Sequence, residues 1–585
     1  MMSARMIRCG LKILPNFSKK NCILHPKTVL KDERHFSQKK GRKNFKNEAE
    51  KFVLPQHNTL DELRLIRKNQ ASASVLIQLA SDDIASVFEK CVRYGPVKVV
   101  LNYRRNDKNL LLIEYENTGS VHDLMQESQH FRNNQHIPVE TPFLYYPRLD
   151  NGKFRRKNGE RVMLDHNVLF REIPKRQDAL ETSLVRADSM SVQMVALYQN
   201  LHMSDINTRE RFMICHLVEG ILNRVFTNCQ VYPFGSSFSG FGRHDCDLDM
   251  VCDLERDALP KGKKGNGLFF LSKLRSDDIR QDQQNNLAIV ADMMQFVMPQ
   301  VFHVKRILRA FVPIVRFTHL TGLQCDISME NRSAFYMTEL LHLYGQVDER
   351  VRPLVFSIRH WAKDVELTGH PGGLCISNFM LTVMTIFYLQ QGDQPVLPSI
   401  ESLKGLAGPT DRKTINDEDC SFVSDWSKVR PSQNKTNLED LFIGFLTFYE
   451  KFDFTSYGID VVSGQSTDKP PDTPMYVVNP IEKQLNVCKN ITEDEIANFQ
   501  QKCHSSLEIL ESNRTRNNKS WGLLAFQKPQ EDNRVISMNI SDILKDNMES
   551  SNSSDASSCA ERDISKTADE NVSDQILSQT NAKSS

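Results

Sequence analysis

Apolar residues recur with two different periods between residues 72 and 147, and the change of period predicts a small mixed module. Apolar runs with period-two alternation predict strands, because successive side chains of a strand point to opposite faces. Amphipathic segments with a period of three to four residues predict helices. The predicted strands are 74–79, 97–103, 108–116 and 141–146, and the predicted helices are 82–94 and 120–128. The resulting order is strand, helix, strand, strand, helix, strand.

That β-α-β-β-α-β order resembles the RNA-recognition module (RRM). The strand at 108–116 aligns with the longer RNA-binding motif of that family, but Leu110 and Leu112 occupy the positions of its base-stacking aromatic residues. Leucine cannot stack on bases as phenylalanine or tyrosine does. An exposed apolar sheet face more often marks a protein contact. We therefore expect the RRM-like module, residues 72–147, to act first as a homodimerisation or positioning domain and only second as a weak RNA binder.

A second apolar pattern contains two regularly spaced acids. In the segment 246–251, Asp247 and Asp249 alternate with apolar residues. Residues i and i+2 of a strand share one face, about 6.7 Å apart, so the two carboxylates lie side by side while Leu248 faces the core. Such carboxylates repel one another and are costly to bury, and a pair of Mg²⁺ ions would neutralise them. Taken alone, the pattern is also typical of a solvated turn or a calcium loop.

Gly235 and Ser236, at the end of the preceding apolar strand, predict a phosphate site. Backbone N–H groups that follow such a turn at the start of a helix can cradle phosphate. The order of apolar residue, Gly-Ser, spacer and Asp-apolar-Asp resembles the polymerase-β-like nucleotidyltransferases, and the resemblance implies a third acid on a neighbouring strand. Asp326, in the predicted strand 323–328, stands at that position. Its presence favours an enzyme over the turn or the calcium loop.

Residues beyond Asp326 resemble the poly(A) polymerase and terminal uridylyltransferase family with its PAP-associated helical domain. The matching motifs are 331–334, 350–353, 359–363, 376–379, 431–434 and 476–487. Arg359 and Lys363 are i, i+4 neighbours on a helix, where two cations repel unless an anion lies between them. The resemblance implies that this pair binds the β- and γ-phosphates. It implies further nucleotide contacts from Gly235, Ser236, Ala334, Thr338, Ser377, Asn378 and Phe379.

Two of these contacts have alternatives. Phe379 would stack on the base, yet Met380 and Leu381 continue an apolar face, so the pattern alone fits a core residue equally well. Related sequences often carry a short polar residue at the position of Met337, so Thr338 alone would have to contact the ribose.

The choice of base depends on the nucleotide-recognition motif. In the uridylyl-transferring branch, this motif carries a histidine that helps to select uracil, and the aligned residue of this chain is Leu485. Asn479 stands where aspartate is usual, and Glu482 is the third base-selecting residue. Leucine offers no hydrogen bond to a pyrimidine, whereas a purine stacked on Phe379 gains room and apolar contact. Apolar fit discriminates only by about 1–3 kcal/mol, so we expect a preference for ATP with leakage to other nucleotides.

Composition and charge refine sorting and partners. The net charge of +1 over 585 residues means that RNA affinity must come from local patches. The 13 cysteines contain no C-x-x-C pair and are typical of reduced thiols. Residues 1–45 are basic, with no acid before Asp32, and predict a mitochondrial transit peptide and basic linker, with a basic RNA-binding arm as the alternative. Residues 540–585 predict a disordered tail, and no segment predicts membrane insertion.

Together the patterns predict an α+β fold in three parts: the RRM-like module at 72–147, a polymerase-β-like palm at 180–345 and a PAP-associated helical domain at 346–530. The resemblance implies template-independent transfer of AMP from ATP to the 3′ ends of mitochondrial RNAs, in the mitochondrial matrix. It implies that Asp247, Asp249 and Asp326 are catalytic and bind two Mg²⁺ ions, or Mn²⁺.

Three alternatives remain. A terminal uridylyltransferase shares every catalytic motif and differs only in the base pocket. A CCA-adding enzyme uses the same palm, but its template-reading Arg/Asp motif is not found. A catalytically silent RNA-binding protein is the third, and loss of one acid would indicate it, whereas all three aspartates are present.

Overall fold

The computed structural model describes residues 59–80, 84–128, 140–146, 169–172, 179–226, 228–254, 278–298, 300–368, 376–415, 418–512 and 521–527. All of them fall within one structural unit. The predicted transit peptide and linker (1–45) and the predicted tail (540–585) lie outside the described residues. Both assignments therefore stay predictions.

A helix and a five-stranded sheet form the first part of the fold. Its elements are α1 (Leu60–Ser72), β1 (Ser74–Leu79), α2 (Ile84–Cys91), β2 (Val97–Arg105), β3 (Lys108–Tyr115), α3 (Thr118–Glu127), β4 (Phe143–Tyr146) and β5 (Leu169–Glu172). The strand order is β4-β1-β3-β2-β5. Strands β1 and β2 run antiparallel to β3, while β4 is parallel to β1 and β5 is parallel to β2. The sequence patterns predicted neither α1 nor β5. A fifth strand departs from the four-stranded RNA-recognition sheet, so the RRM-like assignment stays a prediction.

The two faces of this sheet are covered by different parts of the same chain. On one face, Leu111 and Ile113 pack with residues of α2 and α3. On the other face, Leu110 (2 % exposed) and Leu112 (0 % exposed) belong to the core of the palm, described next. The expectation that this leucine face is exposed is wrong, because the palm covers it. The predicted homodimer through residues 72–147 therefore loses the observation on which it depended.

The palm is a five-stranded sheet packed against two long helices. Its elements, with the two helices that precede them, are α4 (Ala179–Arg186), α5 (Met190–Leu201), α6 (Asp205–Leu222), β6 (Cys229–Phe234), β7 (Leu248–Leu254), α7 (Ile279–Val297), β8 (Val301–Ile307), β9 (Ile314–His319) and β10 (Gln324–Met329). The strand order is β6-β7-β10-β9-β8. Strands β7 and β10 are parallel, and the other pairs are antiparallel. Parallel pairing of β7 with β10 is what brings their acids side by side.

Ion pairs join the first sheet to the palm around the shared apolar core. Arg105 of β2 pairs with the fully buried Glu210 of α6. Arg209 of α6 pairs with Glu114 of β3. The Lys108 ammonium donates to a backbone carbonyl of the β9–β10 turn at 2.5 Å. Removing one partner of a buried ion pair is costly, so these contacts fix the orientation of the sheet on the palm.

The remaining helices form a third layer with its own core. They are α8 (Arg332–Val347), α9 (Val351–Asp364), α10 (Asn378–Leu389), α11 (Ile400–Gly405), α12 (Leu438–Glu450) and α13 (Glu493–Ser512), with the short ribbons β11 (Thr414–Ile415), β12 (Glu418–Asp419), β13 (Tyr457–Asp460) and β14 (Gln465–Asp468). Buried aromatic side chains, among them Trp361, Tyr449 and Phe499, fill this core. Leu184 of α4 and Met194 of α5 belong to it as well, although the sequence placed both helices with the palm. No described helix has both the length and the apolar composition needed to cross a membrane.

Candidate active site

Two palm strands bring the predicted catalytic acids to one place. Asp249 on β7 is the register partner of Asp326 on β10. On its other side, Asp249 pairs with Phe234, the last residue of β6. Leu248 is fully buried, as the alternation read from the sequence requires. Asp247 lies one residue before β7 and is exposed.

The carboxylates of this cluster repel one another. Burial, followed by the negative charges of Asp326 and Asp247, raises the pKa of Asp249 to about 7. Burial and the charge of Asp326 also raise the pKa of Asp247. Like charges held close together disfavour ionisation. At neutral pH the cluster is therefore a site that favours a cation.

One such cation belongs to the chain itself. Arg316 on β9 is the register partner of Asp326. Its Nε donates to Oδ1 of Asp326 at 2.8 Å, and its Nη2 donates to Oδ2 at 2.7 Å. These hydrogen bonds raise the pKa of Arg316, and bidentate pairs of this kind are strong and directional. Arg316 was not among the predicted site residues, although the alternation of β9 places it on the face of the acids.

The same residues decide how a divalent metal would bind. Within the described part of the chain, no group of three or more His, Cys, Asp or Glu side chains is arranged to hold a metal ion. Both carboxylate oxygens of Asp326 are engaged by Arg316. Carboxylate oxygens are the ligands that Mg²⁺ prefers, and the raised pKa values of Asp247 and Asp249 indicate incompletely compensated negative charge. The donor chemistry fits Mg²⁺ at these two aspartates.

A tight turn connects β6 to the acids. Gly235 has φ +63°, which favours glycine, and a Cβ at this position would lie 3.1 Å from Oδ2 of Asp249, so a side chain here would press against that carboxylate. The Gly235 N–H donates to Oγ1 of Thr338 at 2.8 Å, and this hydroxyl donates to the Ala334 carbonyl at 2.7 Å. The predicted ribose contact would use the same hydroxyl of Thr338, whose proton is already engaged. Thr338 therefore links the Gly235 turn to α8.

The predicted triphosphate cations have different environments. The Arg359 guanidinium donates to the carbonyls of Phe241, at 2.7 Å, and Asn378, at 3.1 Å. Burial lowers the pKa of Arg359 to about 10, which still leaves it charged at neutral pH. Lys363, one turn later on α9, is exposed. Arg359 therefore joins a palm loop to the start of α10. Lys363, by contrast, is exposed and accessible to a phosphate.

A cavity of about 610 Å³ lies between the palm and α8, α9 and α10. Its volume falls in the usual range for small-molecule sites. The predicted site residues that line it are Gly235, Ser236, Asp249, Ala334, Thr338, Arg359, Lys363, Asn378, Phe379, Asn479, Glu482 and Leu485. Asp247, Asp326 and Ser377 are not part of its lining. The Ser377 hydroxyl accepts from the Met380 N–H at 3.2 Å and caps α10.

The residues predicted to select the base lie along one wall of the cavity. The Asn479 side-chain oxygen accepts from the N–H groups of Ile481, at 2.9 Å, and Glu482, at 3.0 Å. The Asn479 N–H donates to the Leu485 carbonyl at 2.9 Å. Asparagine thus closes this turn with its carbonyl oxygen alone, as aspartate would. Leu485 contributes an apolar side chain to the lining.

Comparison with known proteins assigns these features to a family. A family model described as the central palm domain of mitochondrial-like poly(A) RNA polymerase matches residues 190–346. The mitochondrial poly(A) RNA polymerase of Homo sapiens is 32% identical over 524 residues, which cover 87% of this chain and 87% of that protein. The chain belongs to the mitochondrial poly(A) RNA polymerase family.

Solved structures of this family have the same fold. Crystal structures of mtPAP in complex with ATPgammaS and with UTP are each 31% identical to this chain, with a TM-score of 0.71. Each match covers 80% of this chain and 99% of the other. The α+β fold with a nucleotidyltransferase palm is thereby confirmed. The matched palm segment contains Asp247, Asp249 and Asp326.

Arg64, which lies outside that segment, contacts two aromatic rings next to the site. Arg64 on α1 is buried, and its guanidinium carbon lies 3.9 Å from the ring centroid of Phe335 on α8 and 5.8 Å from that of Phe238, just after the phosphate turn. Burial lowers the pKa of Arg64. Cation–π contacts of this kind are attractive and strengthen when they are desolvated. Arg64 therefore packs against both α8 and the residue that follows the Gly235 turn, and no local sequence signal indicates it.

His360 was also missed, although it lies inside the motif that predicted Arg359 and Lys363. Its side chain lines the cavity. Burial, together with the charges of Arg243 and Lys363, lowers its pKa to about 4. His360 is therefore neutral at physiological pH and adds a polar group, not a charge, to the cavity.

Proposed function

We propose that this protein is an RNA 3′-end adenylyltransferase that adds AMP from ATP without a template. The observation that carries the proposal is the register of Asp249 with Asp326 beside the Gly235 turn, at a cavity of about 610 Å³. Membership of the family supports the same activity, because relatives are named poly(A) RNA polymerase and one solved structure holds an ATP analogue.

The acids would hold the metals that this chemistry uses. Two Mg²⁺ or Mn²⁺ ions at Asp247, Asp249 and Asp326 would lower the pKa of the RNA 3′-OH and neutralise charge on the leaving pyrophosphate. Arg316 binds Asp326 in the free protein, so it is the residue that must yield when Asp326 takes part. The raised pKa of Asp249 also makes metal binding compete with a proton near neutral pH.

Other residues of the cavity would orient the nucleotide. Lys363 is exposed at the cavity wall and would neutralise the triphosphate, while Arg359 holds the walls of the cavity together. The backbone at Ser236 would face the phosphates, and the partly buried ring of Phe379 would stack on the base. These residues position the α-phosphorus for in-line attack, and no side chain acts as a nucleophile.

ATP is the proposed substrate, with incomplete discrimination against other nucleotides. Leu485 contributes no hydrogen-bonding group to a pyrimidine edge, so selection depends on size and apolar fit. A relative has been solved with UTP as well as with an ATP analogue, which supports a permissive pocket. A terminal uridylyltransferase is the alternative that this permissiveness keeps open.

Extension of a short labelled RNA with each nucleotide separately, in Mg²⁺, tests the proposal. We expect ATP to give the fastest extension, slower extension with the other nucleotides, and none with the matched variant Asp249→Asn. Equal or faster extension with UTP would favour the uridylyltransferase. RNA binding without extension by any nucleotide would favour the silent RNA-binding protein.

We further propose that the protein acts in the mitochondrial matrix, on mitochondrial RNAs. The support is the basic, acid-poor composition of residues 1–45 and the mitochondrial names of the relatives. Fractionation with a protease-protection control tests the location. Self-association through residues 72–147 stays a prediction, and sedimentation of the full chain measures it.

A further inference from the structure

The hairpin that joins β8 to β9 ends in an exposed aromatic residue at the mouth of the cavity. Phe311 is 65% exposed, and its neighbour Val312 is 40% exposed. Both residues line the cavity that contains Asp249 and Ser236. Single exposed apolar side chains are common, but this ring lies beside the polar residues of the cavity and is open to a group that enters it. Nothing in the proposed mechanism so far uses this ring.

The tip of the hairpin is held in position by contacts from two directions. From α7, Arg280 donates to the carbonyl of Ala310 at 2.8 Å and to that of Phe311 at 3.4 Å. Gln284, also on α7, donates to the Leu308 carbonyl at 3.0 Å. The Lys489 ammonium lies over the Phe311 ring, 4.7 Å from its centroid. The hydrogen bonds hold the backbone of the tip, and the Phe311 ring stays 65% exposed.

The hairpin also carries positive charge. Lys305 and Arg309 are exposed on it, and its second strand leads to Arg316 beside the catalytic acids. A groove of about 290 Å³ continues from the cavity and shares Phe311 and Glu482 with it. Further on, the groove is lined by Glu330 and by the exposed Arg332. Exposed cations next to an aromatic platform are the usual features of single-stranded nucleic-acid binding, in which the cations meet the phosphates and the ring meets a base.

We propose that Phe311 stacks on the base of the RNA 3′-terminal nucleotide, with the preceding nucleotides along the adjoining groove and the hairpin cations. The proposal rests on the proposed function, since it locates the RNA substrate of that reaction. Phe379 already provides a ring for the incoming base, and it stands on a helical wall of the cavity. Phe311 stands on the palm wall. Two rings on different walls fit two successive bases, the incoming one and the terminal one.

Fluorescence of 2-aminopurine at the RNA 3′ terminus tests the stacking directly, because stacking quenches it. The measurement is made without transfer, with a non-reactive α,β-methylene ATP analogue filling the nucleotide pocket. We expect the wild type to quench a 3′-terminal 2-aminopurine, and Phe311→Ala to lose most of the quenching. Phe311→Trp should retain it. In extension assays, Phe311→Ala should raise the KM for RNA by about tenfold and leave the KM for ATP unchanged.

Phe302→Ala is the matched control, because Phe302 is an exposed phenylalanine (46%) of the same hairpin that lines neither the cavity nor the groove. It should change neither KM nor the quenching. A higher KM for ATP with unchanged RNA binding in Phe311→Ala would overturn the proposal and assign the ring to the nucleotide. Equal quenching by the wild type and Phe311→Ala would also overturn it, whether or not the protein transfers AMP. Quenching that depends on Phe311 in a protein that extends no RNA would instead overturn the proposed function alone.

Discussion

Replacing Asp249 by asparagine should stabilise the metal-free protein while it abolishes transfer. The pKa of this carboxyl is about 7 in the folded protein, against 3.8 for an unperturbed carboxyl. Because the folded protein holds this proton more tightly than the unfolded chain does, stability falls as the pH rises from about 4 to about 7. At about 1.4 kcal/mol per pKa unit, the ionised carboxylate costs up to about 4 kcal/mol above that range. Asparagine has nearly the same shape and no charge, so the variant avoids this cost.

Urea denaturation of both proteins in EDTA, from about pH 4 to about pH 8, measures the difference. We expect the two midpoints to coincide at the acid end and to separate as the pH rises, with the variant more stable at the alkaline end. Saturating Mg²⁺ should stabilise the wild type and so reduce the difference between the two midpoints. A difference in midpoint that does not change with pH, or a variant that is less stable than the wild type at the alkaline end, would refute the reasoning.

Asp245→Asn is the control for this experiment. Burial alone would raise the pKa of Asp245, but hydrogen bonds from Arg243 bring it below its usual value. A carboxyl with a lowered pKa stabilises the fold when it is ionised, so its removal should give no gain at any pH. The contrast between two aspartates four residues apart separates the cost of burial and repulsion at Asp249 from the general loss of a negative charge.

Three further predictions concern the contact between the first sheet and the palm, the contact of Arg64 with α8, and the choice of base. Leu112→Ala should cost about 2–5 kcal/mol in the free energy of unfolding and leave the mass by light scattering unchanged, because Leu112 is buried within its own chain. Arg64→Met should lower kcat/KM for ATP by about threefold to tenfold, since it removes a cation–π contact, while the circular dichroism spectrum is unchanged. Leu485→His should raise the ratio of UTP to ATP incorporation by about tenfold in paired extension assays, because imidazole can hydrogen-bond to a pyrimidine.

Leu112→Ala and Arg64→Met each have a matched comparison. Leu111→Ala removes a leucine from the opposite face of β3 and should leave amide exchange in α6 unchanged, whereas Leu112→Ala should accelerate it. Arg67→Met removes another arginine of α1, which pairs with Asp205 instead of the α8 ring, and should leave kcat/KM unchanged. A smaller mass for Leu112→Ala, a normal kcat/KM for Arg64→Met or an unchanged nucleotide ratio for Leu485→His would contradict the respective structural reading.

The strands that carry the acids were predictable because their signal is local. Period-two alternation around Asp249 predicted both the strand and the buried position of Leu248, and the structure has both. The position of Asp326 came from the family resemblance instead, because no periodic pattern states which strand lies beside which. The turn at Gly235 was predictable as a break in the pattern, while its hydrogen bond to Thr338 was not.

Contacts between distant segments were beyond the sequence patterns. The apolar character of Leu110 predicts that it is buried under something, but it does not say whether a second chain or the same chain covers it. Arg64 reaches α8 from α1, far away in the chain, and Arg316 meets Asp326 only because β9 pairs with β10. For Arg359, helical spacing indicated the face it shares with Lys363, yet its bonds to Phe241 and Asn378 depend on how the walls of the cavity meet.

The leucine face of the first sheet leaves the ribosome before the helix that covers it exists. Strand β3 ends at Tyr115, and α6 ends at Leu222. At about 5–20 residues per second, roughly 5–20 s therefore pass between the synthesis of the end of β3 and the synthesis of the end of α6. During that interval an apolar face with open strand edges is available to other nascent chains. Aggregation during synthesis should thus depend on how fast the segment from 116 to 222 is translated, and a chaperone is needed most while that segment emerges.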